Sequence, residues 1–212
     1  MTSKERGLAA LKSGSQMYGM AARLIETVPI GQRAQDALIT SLRELRSAMN
    51  WLEDTSDFET AHQRLDGAGR LQRRHFADNC RLTFKDGGYV QECPVALAHN
   101  RTGLSVGAIV QESECSICSR DPDDCEHIAG RLYDGEVCAT RITKFGVDHV
   151  AIVGRPNMPD ARIGAISVDL EHIRAELGPA FEVGMDVLCD RCLEPCAGVV
   201  RPFETSGQSF RA

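Results

Sequence analysis

Residues Glu114 to Arg131, ECSICSRDPDDCEHIAGR, constrain this chain more than any other stretch. Cys115 and Cys118 form a C-x-x-C pair, and Cys125 and His127 form a C-x-H pair six residues beyond it. Four soft or borderline ligands in 13 residues, bent around Asp121-Pro122-Asp123-Asp124, write a tetrahedral metal site almost contiguously. Three thiolates and one imidazole fill a tetrahedral sphere. Catalytic zinc keeps a position open for water, so this set points to structural zinc.

A second cluster, Cys189-Asp-Arg-Cys192-Leu-Glu-Pro-Cys196, offers three further ligands and needs a fourth. Cys80, Cys93, Cys138, His75 and His99 are the candidates, and a site mixing one C-x-x-C from each cluster is an alternative. A second Zn2+ is therefore expected beside the first. An iron–sulfur cluster is the rival here, but C-x-x-C-x-x-x-C lacks the longer cysteine run of ferredoxins.

Nine cysteines are an odd count, which suits a fully paired disulfide framework poorly. The first residues, MTSKERGLAALKSGS, carry no apolar signal core, and no apolar run approaches the roughly 20 residues of a membrane span. A cytoplasmic protein is the expectation. A net charge of −6 argues against nucleic-acid binding over the whole surface. Aromatic residues make up 5%, so the core must be aliphatic.

The patterning predicts an α+β chain. Residues 1–78 read as a helical segment, bundled or coiled-coil-like. Ser3 caps a helix that Pro29 and Gly31 break. Its residues Leu8, Leu11, Met17, Met20, Leu24 and Ile25 approximate an apolar stripe. A second helix from Gln32 places Leu38, Leu42, Leu45, Met49 and Leu52 on one face. Its pattern is short for a coiled coil, so packing within a bundle is expected. Asp57 or Ser56 caps a third helix, interrupted near Gly67-Ala68-Gly69. Arg64, Arg70, Arg73, Arg74 and Arg81 surround that break and read as a solvated face.

Residues 79–200 read as a zinc-binding, mostly antiparallel β-rich domain, barrel-like and carrying one or two zinc knuckles. Asp86-Gly87-Gly88 turns a hairpin between 80–84 and 89–93. Strands are expected at 104–110, 137–143, 149–153 and 163–168. A short helix at 170–177 is capped by Asp169 and closed by Gly178-Pro179. Residues 201–212 read as a disordered tail.

No phosphate loop, G-x-S-x-G or H-E-x-x-H motif is present. The turn Pro156-Asn157-Met158-Pro159-Asp160-Ala161 and the upstream Gly103-Leu-Ser-Val-Gly107 resemble the P-A-N-P-x-A turn and G-L-S-I-G strand of the tailed-phage prohead (capsid-maturation) proteases. The resemblance spans about 103–163 and is interrupted by the cysteine-rich insertion. It implies a small β-barrel related to herpesvirus assemblin, with the serine of an E-V-S sequence as nucleophile. Here Ala151 stands at that position, and a methyl group cannot attack a carbonyl. The family's histidine lies on a strand where this chain reads as helix, and His99 falls too close to the Gly103–Gly107 segment to match it.

The resulting expectation is a non-catalytic, zinc-stabilised interaction or scaffold domain. It resembles an inactive prohead protease, phage-related or part of an antiviral assembly, and binds a protein partner or itself, with no membrane. Two alternatives remain open. One is a peptidase with a displaced nucleophile (Ser105, Cys93 or Cys138 with His99). The other is a zinc-knuckle nucleic-acid binder using Arg64–Arg81.

Overall fold

A computed structural model describes residues 2–27, 31–193 and 195–202. The expected Pro29 break and the tail beyond residue 202 lie outside the described residues. The chain is mixed helix and sheet: α1 (Ser3–Thr27), α2 (Gln32–Trp51), α3 (Phe58–His75), β1 (Thr83–Lys85), β2 (Gly88–Gln91), α4 (Pro94–His99), β3 (Gly103–Cys115), β4 (Leu132–Tyr133), β5 (Glu136–Val137), β6 (Thr140–Val153), β7 (Ile166–Val168) and α5 (Leu170–Leu177). It divides into two compact units: Met1–Gly103 with Val153–Ala212, and Leu104–Ile152. The helical segment and the hairpin that follows it thus share a unit.

The larger unit is built around α2. Leu38, Leu42, Leu45, Met49 and Leu52 are fully or almost fully buried, as their four-and-three spacing requires. Their cover comes from the chain's own α1, α3 and α4, so the stripe is a bundle core. The face that α1 turns inward adds small residues to the expected stripe: Gly7, Ala10, Gly14 and Ala21 are buried, and Leu11, Met17, Met20 and Ile25 pack against the core partly buried, whereas Leu8 is exposed. A Cβ on Gly14 would sit 2.7 Å from Leu45 Cγ, and one on Gly7 2.6 Å from Leu52 Cγ. The missing side chains let α2's leucines seat against the α1 backbone. Ser41 also donates to the Gly14 carbonyl at 2.8 Å within this contact.

Two helix-end expectations change. The cap of α1 is Thr2: its Oγ1 accepts from Glu5 N at 3.2 Å, and Glu5 Oε2 accepts from Thr2 N at 2.7 Å, a reciprocal capping box. Helix α3 runs through Gly67-Ala68-Gly69 to His75. Gly69 is there for close approach, since a Cβ would meet Val95 at 2.7 Å and Cys192 Sγ at 2.8 Å.

The Asp86-Gly87 turn forms as expected, both residues at positive φ (52° and 80°), and joins β1 to β2 in an antiparallel pair that β7 extends. Tyr89, Ile173 and Val187 make a small core under this sheet. Asp169 accepts from Glu171 N at 3.0 Å to start α5, and Gly178 ends it at φ 66°.

The turn at Pro156–Ala161 docks on α2. Asp160 accepts from Asn50 Nδ2 at 3.1 Å, from Ser47 Oγ at 3.2 Å and from Trp51 Nε1 at 2.5 Å. Nearby, Glu53 receives both arms of Arg101 at 2.9 Å and also pairs with Arg162. These three side chains are almost wholly buried.

In the smaller unit β3 and β6 pair as a long two-stranded ribbon, and β4 and β5 form a short hairpin across Asp134-Gly135. The strands expected at 137–143 and 149–153 are largely one continuous strand, β6. The His149 ring lies over Gly107, where any Cβ would come within 2.2 Å of it. Five residues further along β3, Glu112 meets Lys144 at 2.9 Å, five residues earlier in β6, so the strands run antiparallel. Among the described residues of this unit, only Cys115 and Cys138 are buried.

Candidate metal centre

Cys115 ends β3 and begins the centre. Its carbonyl accepts from Ser119 N at 2.9 Å, and its N–H donates to the Arg120 carbonyl at 2.8 Å. Ser119 takes the left-handed conformation, φ 57°, to close this turn. The wrap brings Cys118 back beside Cys115. Asp121 accepts from Asp123 N at 2.9 Å and starts a single 3-10 turn, Pro122–Asp124. Cys125 follows in extended backbone, φ −124° and ψ 153°.

The donor atoms of Cys115, Cys118, Cys125 and His127 all lie within 4.8 Å of one another. The four residues singled out in the sequence therefore converge, and the cluster could hold a metal ion. His127 Nδ1 supports that fit: it is buried with no hydrogen-bond partner, and a buried lone pair without a partner is costly unless something coordinates it. The ring is held edge-on against Tyr133, 4.6 Å between centroids, while the Tyr133 hydroxyl accepts from Ile128 N at 2.9 Å.

A fifth donor stands beside them. Cys138 Sγ is 3.7 Å from Cys115 Sγ. The backbone places it there: Cys138 N donates to Arg131 O, Gly130 N donates to Cys138 O, both at 2.8 Å, and Ser116 N donates to Ala139 O at 2.9 Å. The Asp134-Gly135 hairpin, which the sequence reading passed over, is what returns Cys138 to the centre. Cys115 is held down at about 6 by N–H donation from Cys118 and Ile117 and by its thiol neighbours. Cys125 and Cys138 are raised by desolvation and by the neighbouring Cys115 sulfur.

The second sequence cluster separates in space. Cys196 lies against His62 and His99, with Sγ to Nε2 distances of 3.3 and 3.0 Å. Cys189 faces Cys93, whose hydrogen bond holds it down at about 6, and its N–H donates to the Cys80 carbonyl at 2.7 Å. Gln91 Nε2 donates to Cys189 Sγ at 3.2 Å. Cys192 is pushed up to about 11 by burial and by the sulfurs of Cys189 and Cys80. Cys80 and Cys93, two of the fourth-ligand candidates, thus gather with Cys189 and Cys192, while His99 gathers with Cys196. The sequence reading missed His62 and Asp66 as partners of His99. Their i, i+4 spacing on α3 was the available signal.

Ala151 sits on β6, partly exposed, flanked by the exposed Val150 and Ile152. His99 has its Nδ1 2.6 Å from the Val95 carbonyl and its Nε2 in the cluster with Cys196. Among the described residues, no helix is long and apolar enough to cross a membrane. Searches of family models, of curated proteins and of solved structures gave no match to this chain.

Proposed function

We propose that the chain is a non-catalytic assembly module, in which a zinc-stapled β-ribbon, joined in one chain to a helical unit, packs against copies of itself. The observation that carries this reading is the ribbon's exposed apolar surface. Val106, Ile109 and Val110 on β3, and Phe145, Val147, Val150 and Ile152 on β6, are all half or more exposed. Alternate residues of a strand face opposite ways, and these occupy both parities, so both faces of the ribbon are apolar. A two-stranded ribbon is marginal in water by itself. An exposed apolar surface of this extent marks an interaction site. With two open edges and two apolar faces, the ribbon is complementary to a second copy of itself, through an isologous contact.

Zinc is the metal that suits three thiolates and an imidazole in a closed set. The family resemblance gives the same reading a biological frame. A prohead-protease-like barrel with Ala151 in place of the nucleophile would retain assembly and lose cleavage. In this reading the ribbon is the portion of a barrel-like wall that other copies complete, in a phage-related assembly.

Light scattering on the purified, metal-loaded chain across the micromolar range tests the proposal. A dimer or larger assembly is expected, and the Val106→Asp/Val150→Asp variant should shift it to monomer while its helical circular dichroism stays unchanged. A wild-type protein that is monomeric throughout would contradict self-assembly.

A further inference from the structure

The geometry points to a second metal centre, made by His62, Asp66, His99 and Cys196, that takes a divalent cation of the zinc class and pins the C-terminal segment onto α3 and α4. This ligand set differs from the Cys189/Cys192/Cys196 set that the sequence suggests.

The donors converge on one point. His62 Nε2 and His99 Nε2 are 3.0 Å apart. Cys196 Sγ is 3.3 Å from the first and 3.0 Å from the second. Asp66 supplies Oδ2 at 3.5 Å from His62 Nε2 and Oδ1 at 3.2 Å from His99 Nε2. A tetrahedral zinc with ligand bonds of about 2.0–2.3 Å sets its donors about 3.3–3.8 Å apart. The observed spacings are close to those edges, drawn slightly inward.

The outer contacts also match a metal site. His99 Nδ1 lies 2.6 Å from the Val95 carbonyl, and His62 Nδ1 lies 3.4 Å from Glu59 Oε2. Both oxygens are acceptors, so a proton on Nδ1 of each ring satisfies them and leaves Nε2 as the atom that would face the ion. Histidine ligands are commonly oriented this way, by a carbonyl or carboxylate on the other ring nitrogen. Cys196 Sγ accepts from Gly198 N at 3.2 Å and Arg191 at 3.5 Å, contacts that stabilise a thiolate. Without a cation, only protons on Nε2 could hold two imidazoles, a thiol and a carboxylate together in this buried space. His62, Asp66 and His99 are each exposed by 8% or less.

The architecture gives the centre a purpose. His62 and Asp66 sit one turn apart on α3, and His99 ends α4. Cys196 belongs to a segment without regular structure, whose other backbone ties include the reciprocal contacts of Val200 with His99 and Arg101. Four donors close the sphere, so the role is structural.

Cadmium-113 NMR of the cadmium-loaded full chain tests the assignment. The wild type should give resonance in the sulfur-rich region from the Cys115 centre, and a separate resonance well upfield from a mixed nitrogen, oxygen and sulfur sphere. Cys196→Ala should abolish the upfield signal and leave the sulfur-rich one. His62→Gln should lower the zinc content by one equivalent per chain. A wild-type spectrum with only sulfur-rich resonances would overturn the proposal, whether or not the variants fold. Zinc content unchanged in both variants would overturn it equally.

Discussion

Helix α2 and the β3–β6 ribbon carry apolar residues of the same kind, and the protein treats them in opposite ways. The stripe Leu38, Leu42, Leu45, Met49 and Leu52 is wholly covered by neighbouring helices, while Ile109, Val147 and Ile152 stand about 60% exposed. The helical unit has a hydrophobic core that holds it together. In the ribbon unit, buried positions among the described residues are two cysteines, so no apolar core of its own orders it, and the proposed metal centre is the internal staple available. Burying one leucine contributes about 1.5–3 kcal/mol, and a structural zinc contributes on the order of 10–16 kcal/mol in small domains. A unit of this size with almost no apolar burial can stay folded only by the second route, or by association.

This contrast can be broken at either end. The largest effect is expected from Cys118→Ser, which removes a central ligand. The ribbon unit should lose its amide protection, and the helical circular dichroism should persist. Cys138→Ala should be milder, weakening metal affinity by about 10–100-fold as for a supporting contact, because Cys138 reaches the centre through Cys115. Competition with a colourimetric chelator would separate the two.

Inside the helical unit the sensitive point is polar. Glu53→Gln should cost about 3–5 kcal/mol in urea unfolding, since it leaves Arg101 and Arg162 buried without their counter-charge. Burial alone would raise the Glu53 carboxyl, but hydrogen bonds and charge from Arg101, with Arg162 and Arg201, bring it below the ordinary glutamate value. A lowered carboxylate contributes stability that is complete above the unfolded value of about 4.3 and is lost as pH falls through the folded one. The wild type should therefore lose stability in that acid window, and Glu53→Gln should flatten the loss. Leu45→Ala should cost about 2–5 kcal/mol by opening a cavity against Gly14. Asp169→Ala, which deletes only the α5 cap, should cost about 1 kcal/mol.

Local signals were legible in the sequence. The α2 stripe, the Asp86-Gly87 hairpin, the bounds of α5 and the four donors of Cys115–His127 all depend on residues a few positions apart, and all appear as expected. The misreadings share a cause, which is that a distant neighbour decides the local structure. Gly67-Ala68-Gly69 resembles a helix break, yet Gly69 is small because Val95 and Cys192 press on α3. The α1 stripe is legible in part, since Leu11, Met17, Met20 and Ile25 do pack on the core, but Gly7 and Gly14, shaped to receive leucines of α2, carry no apolar signal. Spacing groups Cys196 with Cys189 and Cys192, whereas the structure sets it beside residues 62, 66 and 99. A metal set drawn from separate segments has no spacing to read.

Hydrogen exchange on the full reduced chain, with metal bound and after chelation, tests the central claim most directly. The account predicts that chelation abolishes protection across 104–152 while the amides of α1, α2 and α3 retain theirs. Protection in 104–152 that survives complete metal removal would contradict it.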